Sequence, residues 1–545
     1  MKRILSGKKA RIELQKGVNM LGEAIKPSIG PIGLSLGYDK GYGGPGITAD
    51  GNSISNEILS SDPVINMGIS YLKEVSQKTN DTSGDGRKTT ILLYQAIVNE
   101  GLKIIDPSFW KSIFKSKVNT IGVKDGIKKA AKIATDYLLT ISNPIKNNEE
   151  IKRIAVISSK SEQIGDVIAE TMKNLGTNSV VTVETSNTLG ITSEIATGLE
   201  LDKGFLSHYM ITDQSKGEAV CRDVPILVTD MKIGMIDEIL PLLESVMQSG
   251  KRELLIVAED VVGDALNTFI VNKLRGGPTV LCVKAPGFGN RKKDYLEDLA
   301  VVVGATFISS DLGIPLNKVI LENLGSAEKV VATKDKTIIV GGKGTKESID
   351  ERIVTIKREL DSLDSKHDQL KVAERLAKIT GGVAVIKVGA STETETKYLQ
   401  QKIEDAINSV KASLENGILP GGGSSLLNAS KAVIEEKEFH SEDYTKDELV
   451  GFDIFAKALL VPFKQIIKNA GQDNNKVFKK VNKMKQGGGY DALNNKYITD
   501  MISSGIIDPT KVEKLAIENA TSGAGMFLTI ETVSAEEPKL LPTGM

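Results

Sequence analysis

The sequence predicts a multidomain α+β protein: a mainly helical domain drawn from both chain ends, with an α/β block inserted between the halves. Three observations predict it. At 545 residues the chain is too long for one core, and about three domain-sized units are expected. From about residue 150, short apolar runs such as Val180–Val183, Ile226–Val228, Leu254–Val257 and Val280–Val283 alternate with helical stretches. Helix-rich sequence flanks that block on both sides.

In chain order, residues 8–26 read as a helix with Ala10, Leu14, Val18 and Leu21 on one face, stopped by Pro27. The loop Ser28-Ile29-Gly30-Pro31-Ile32-Gly33 follows, then a hairpin-like section ending in Asp50-Gly51, read as a turn. Helices are expected at about 65–79 and 89–105, and an added amphipathic piece at 106–125 with Phe109, Trp110, Ile113 and Phe114. After about 350 helical sequence returns, broken by Gly381–Gly389. A helix carrying Glu404 and Asp405 precedes the loop Pro420-Gly421-Gly422-Gly423, and 425–530 read as mostly helical.

The most telling stretch is Gly84-Asp85-Gly86-Arg87-Lys88-Thr89-Thr90, which opens the apolar run Ile91–Val98. Glycines permit a tight turn, and the free N–H groups of a first helical turn favour an anion. Asp85 in that turn could hold Mg²⁺ beside phosphates. The same residues also fit a helix-capping Asp between two glycines. A Walker A loop is excluded, because Arg87 stands before Lys88 where that motif demands Gly.

Basic and acidic residues balance at 69 and 70, which argues against a general nucleic-acid or membrane-surface binder. No run of about eighteen apolar residues occurs, so no membrane-spanning helix is expected. The first residues turn polar too early for a signal peptide. Cys221 and Cys282 are too few and scattered for a disulfide frame, and His208, His367 and His440 lack ligand spacing. The expectation is a soluble cytoplasmic protein.

Five stretches, in order, carry a resemblance: Thr79–Gly86, Val283–Gly289, Gly381–Gly389, Gly421–Gly423 and Ile507–Val512. With them the chain closely resembles the group I, GroEL-type chaperonins, over about residues 8–533. The resemblance implies an equatorial nucleotide-binding domain (1–140 and 418–533), an intermediate hinge domain (141–197 and 384–417), an apical protein-binding domain (198–383) and a flexible tail (534–545). It places hinges at Pro144 and Gly417 and at Gly198 and Gly381, where glycine absorbs large φ/ψ changes.

It further implies a Mg²⁺-dependent ATPase, with K⁺ a further candidate cation. Ser28, Ile29, Gly30, Pro31 and Gly422 would line ATP, with Gly86, Arg87, Lys88 and Thr89 at the phosphates. Asp491, Ala492, Leu493 and Asp508 would flank base and ribose. Asp85 would bind the metal, Asp405 would activate the attacking water, and Asp50 would stand near the γ-phosphate. Three departures stand out. A lysine of the family is Ala49 here, Ile32 replaces another, and two threonines of the phosphate cradle are Arg87 and Lys88. Either these cations compensate for the charge lost at Ala49 by pairing with phosphate, or Arg87 bridges Asp85 in place of Mg²⁺.

Two helical apolar stripes, Ile236/Ile239/Leu240/Leu243/Met247 and Leu266/Phe269/Ile270/Leu274, read by spacing alone as core. The resemblance instead assigns Leu240, Leu243, Leu266, Ile270 and Val271, with Phe205, Tyr209 and Met210, to capture of non-native polypeptides or a lid-like co-chaperonin. Family pattern implies a seven-membered ring of this chain. The 106–125 segment and Lys476, at a ring–ring contact that also holds Lys464 and Asp473, favour a single ring over a double one. The alternatives are a passive holdase ring with weak or lost hydrolysis, and an α/β metabolic enzyme binding a phosphorylated substrate.

Overall fold

Apolar residues from the two ends of the chain share one core. In the computed structural model, which describes residues 2–39, 45–106, 118–159, 161–175, 180–186, 188–214, 216–287, 289–363 and 365–536, they form one compact unit, Met1–Ala169 with Gln401–Met545. The helix Gly7–Ile25 buries Ala10, Leu14, Val18 and Leu21, the face read from the sequence. It packs on Pro63–Ser83 and Arg87–Ile105, and Thr510–Leu528 crosses Arg87–Ile105 and Thr120–Thr140. Side chains such as Leu14, Ile91, Phe452, Phe455 and Phe527 close this core. Each contributes about 1.5–3 kcal/mol on burial.

Two details correct the sequence reading. Asp50-Gly51 is no free turn: the Asp50 carboxylate accepts from Ser53 N–H at 2.8 Å and caps the helix Gly51–Glu57. Residues 534–536 are not tail, since Thr532–Glu536 pairs antiparallel with Lys2–Ser6, Lys2 facing Glu536. Residues 107–117, with Phe109, Trp110, Ile113 and Phe114, lie outside the described residues, as do 537–545.

The second unit, Glu170–Gln400, holds a six-stranded mixed sheet. Its order is Thr279–Lys284, Glu253–Ala258, Ala219–Val228, Gly325–Ala332, Thr337–Gly342 and Gly198–Leu201. The first three strands are parallel, as the alternation of apolar runs and helices requires, and the rest join antiparallel. The buried Asp298 accepts from Arg375 Nε at 2.8 Å and from Arg352 Nε at 2.7 Å, so its charge is not stranded in the apolar core. A three-stranded sheet sets Val383–Gly389 between Val180–Thr185 and Gly190–Ala196. The residues expected of the intermediate domain are divided between the two units.

The expected hinge residues fall in pairs of adjacent crossings. Asn143, next to Pro144, bridges Ile418; Gly417 has φ +78°, and a Cβ there would lie 2.5 Å from Asn143 O. A Cβ on Gly198 would lie 2.7 Å from Val383 Cγ2, while the left-handed residue of the second crossing is Gly382, not Gly381.

Candidate nucleotide site and apolar surface

The Gly84–Thr90 turn is held on every side. Gly84 ends the helix Pro63–Ser83 with φ 74°, and Gly86 begins the next with φ 90°. Gly86 N–H donates to Asp85 Oδ1 at 2.6 Å, and Ser83 Oγ donates to Thr79 O at 2.7 Å and Asp85 O at 3.0 Å. Thr90 Oγ1 donates to Gly86 O at 2.9 Å, and Asn519 Nδ2 reaches Thr79 Oγ1 at 3.0 Å. The turn abuts the helix Glu393–Asn416 at Asn408, one turn beyond Asp405.

Carboxylates from four segments therefore act on one another. Burial, then Asp85, Asp50 and Glu404, push Asp405 up to about 8, with Arg87 opposing. Burial and Asp85 push Asp508, on the strand Ile507–Pro509, up to about 7, offset by N–H bonds from Gly422 and Gly423. Asp85 reaches solvent but is crowded by protein, which raises its carboxyl; Gly86 N–H and Lys88 oppose that, and Asp50 adds to it. Glu513 was missed by sequence reasoning. It is buried, its carboxyl is raised by burial, Asp508 and Asp85, and its Oε2 has no hydrogen-bond partner. The available signal was an acid at a core position of an apolar stripe, with Ala516, Ile517 and Ala520.

Both cations find partners within the chain. Arg87 is buried and its guanidinium turns to Gln77 Oε1; among the described residues it forms no ion pair with Asp85. Lys88 extends past Gly51 and donates from Nζ to Ser28 O at 2.8 Å and Ala49 O at 2.7 Å, tying two loops together.

Around this centre stand the other expected residues. Ser28 and Ile29 are buried, and Asn469 Nδ2 fixes their turn by donating to Lys26 O at 2.8 Å and Ile29 O at 2.9 Å. Gly30 sits beside Ile466, Pro31 is exposed, and Thr89 is half-buried. The strand Ile418–Pro420 pairs with Ile507–Pro509, Leu419 opposite Asp508, which brings the Gly421–Gly423 loop to Asp508. Gly422 lies near Tyr490 O, and so near the hairpin of Gly489–Asp491 with Lys496–Ile498. There Asp491 accepts from Leu493 N–H at 2.9 Å; Ala492 is buried and Leu493 exposed.

The donor set fits a hard divalent cation. Crowded carboxylates with raised pKa values are relieved by added positive charge. Among the described residues no three His, Cys, Asp or Glu side chains form a ready metal cage. A cation at Asp85 would complete its shell with phosphate and water oxygens, as Mg²⁺ commonly does.

In the second unit the two apolar stripes divide. A short 3-10 turn, Ile236–Glu238, precedes the α-helix Leu240–Gln248, which breaks the single helical face; Ile239 and Leu243 turn inward (Leu243 is 9% exposed) while Leu240 is 40% exposed and Met247 is exposed. On Gly263–Leu274, Phe269 is core, Leu266 and Ile270 are half-buried, and Val271 and Leu274 are exposed. Phe205 and Met210 are also core, Met210 Sδ accepting from Cys282 N–H at 3.4 Å; their neighbour Tyr209 is exposed. Of the eight residues expected to touch clients, Phe205, Met210 and Leu243 are therefore interior. Their apolar character is needed to close the sheet, and sequence spacing cannot separate that need from capture.

No helix among the described residues is long and apolar enough to cross a membrane. Over 97% of its length the chain is similar to the chaperonin gp146 of bacteriophage EL 2 (Pseudomonas aeruginosa), crystallised in the presence of ATP-BeFx, with a TM-score of 0.70, 18% identity and 98% of that chain covered. A second crystal form of the same protein matches 98% of this chain and 99% of its own, with a TM-score of 0.62 and 19% identity. Residues 21–538 match the TCP-1/cpn60 chaperonin family, and the chain belongs to that family.

Proposed function

We propose that the chain is an ATP-driven chaperonin subunit that captures non-native polypeptides on an apolar surface of its second unit. The observation that carries the nucleotide reading is the convergence of Asp50, Asp85 and Asp405 on one glycine turn, with Asp405 pushed up to about 8. The similar phage protein crystallised with ATP-BeFx supports it.

In this reading the Gly84–Thr90 turn and the first amides of Arg87–Ile105 receive the phosphates. Mg²⁺, when bound at Asp85, supplies charge neutralisation to the phosphate oxygens. Asp405 would be ionised once a cation at Asp85 offsets the crowding of the carboxylates; as the carboxylate it orients a water and takes its proton as the oxygen bonds to the γ-phosphorus, and the bond to the ADP oxygen breaks, leaving ADP and phosphate. Asp50, fixed by Ser53, stands beside the transferred group. Clients would meet Tyr209, Leu240, Leu266, Ile270 and Val271, whose exposed or half-buried surfaces suit partners that share apolar area and no motif. Hinge motion at the Pro144/Gly417 and Gly198/Gly382 crossings would couple the two activities. The domain boundaries read from the sequence, with residues 534–536 moved from the tail to the first unit, a seven-membered single ring and a lid-like partner belong to the same proposal.

Calorimetric titration of the full chain with Mg–ADP tests the nucleotide half. Saturable binding, lost in Asp85→Ala, is expected; no binding in any buffer would overturn it. The passive-holdase reading draws on Lys88 pointing at carbonyls where a phosphate-pairing group was expected. Capture without phosphate release would favour it.

A further inference from the structure

We propose that the Lys88 ammonium is a resident monovalent cation of the nucleotide site, so that this chain binds nucleotide without dissolved K⁺. The proposal deepens the nucleotide reading above and rests on it. Nζ lies 2.8 Å from Ser28 O and 2.7 Å from Ala49 O. These carbonyls come from separate segments: Ser28 ends the short helical turn Lys26–Ser28, and Ala49 directly precedes the capping residue Asp50. Main-chain carbonyls converging from different loops, with a carboxylate nearby, are the oxygen environment in which a weakly hydrated monovalent cation is held. An ammonium carries the same charge on a compact head and offers three donors to such oxygens.

The surroundings are built for that head. Ser28 is buried and Lys88 half-buried, which limits competing water. The stem crosses Gly51, where a Cβ would lie 3.1 Å from Lys88 Cγ, so the glycine leaves the path open. Asp85 and Lys88 attract one another, which places the positive charge beside the expected metal ligand. A tethered ammonium has an effective concentration that no buffer changes. Removing it leaves two converging carbonyls that a free ion of similar size can serve.

The test compares the full-length wild type with Lys88→Ala and Lys88→Met, in K⁺, NH₄⁺, Li⁺ or choline buffers of equal ionic strength. The readouts are Mg–ADP affinity by calorimetry and the melting temperature without nucleotide. Wild-type affinity is expected to be the same in K⁺ and choline. Lys88→Ala should lose about tenfold in choline, as for a lost charged hydrogen-bond pair, and regain most of it in K⁺ or NH₄⁺ but not Li⁺. Lys88→Met, which fills the space without charge, should lose affinity in every buffer. A wild type that needs K⁺, or a Lys88→Ala protein that matches wild type in choline, overturns the proposal. If no protein binds ADP in any buffer, the nucleotide reading fails, and the melting temperatures still decide the cation assignment. K⁺ raising the midpoint of Lys88→Ala but not of wild type supports it, and an equal response of both overturns it. Should Lys88→Ala fail to fold, the wild-type comparison between K⁺ and choline decides alone.

Discussion

Gly84 and Asn408 are in contact so close that a Cβ on Gly84 would stand 1.9 Å from Asn408 Cβ. That contact seats the Asp85 turn against the helix that carries Asp405. Gly84 also has φ 74°, so Gly84→Ala should lose about 2–5 kcal/mol through left-handed strain and overpacking. The measurement is the melting temperature with and without Mg–ADP, and the Mg–ADP shift should vanish. Gly190→Ala, at a left-handed glycine with nothing within 4 Å, is the control that keeps the shift.

Raised carboxyl groups make stability depend on pH. Folded Asp405 keeps its proton up to about 8, whereas the unfolded chain releases it near the ordinary value of 3.8. Between those values the folded state binds more protons, so this contribution is full below the ordinary value and is lost as pH rises towards 8. Asp508 acts in the same direction up to about 7. Melting temperatures of the nucleotide-free protein should therefore carry a falling component from pH 5 to 8, reduced in Asp405→Asn. An unchanged slope in that variant would remove Asp405 from the coupled cluster.

The residues expected to touch clients separate by burial. Leu240→Glu with Ile270→Glu should abolish suppression of client aggregation while far-ultraviolet circular dichroism stays native, because charge opposes apolar capture at accessible positions. Leu243→Ala should instead cost about 2–5 kcal/mol of stability with capture retained, as for a core truncation. Capture unaffected by the double variant would return Leu240 and Ile270 to structural roles.

Single rings are the expected assembly. Lys464 stands 4.8 Å over the Phe478 ring, and the Asp473 carboxylate caps Asn474–Val481 through Asn475 and Lys476 N–H, so both side chains are engaged within the chain. Exposed ion pairs would add only about 0–1 kcal/mol each between rings. Native mass spectrometry should show one ring mass, and a stable doubled mass would contradict this.

Much of the architecture is legible in the sequence because burial leaves a period. Ala10, Leu14, Val18 and Leu21 mark a helix face, and the runs at 226, 254 and 280 become adjacent parallel strands. The carboxylates of the site are legible through the glycine turns around them. What stays hidden depends on distant neighbours. Asp50-Gly51 has the composition of a turn, yet the chain continues into a helix and the carboxylate caps it. Leu243 and Leu240 share a stripe, but the helix starting at Leu240 turns one inward and the other out. The partners of Lys88 are main-chain oxygens, which no side-chain pattern announces.

Phosphate release by the full-length protein with Mg²⁺ and ATP, compared between wild type and Asp405→Ala in the presence and absence of an unfolded client, tests the central claim most directly. The expected result is steady turnover by wild type and a loss of about a hundredfold or more in the variant, with Mg–ADP affinity nearly unchanged, as for a group acting on the water and not on binding. Equal phosphate release by the two proteins, or none from wild type with client still captured, would contradict an ATP-driven cycle centred on Asp405.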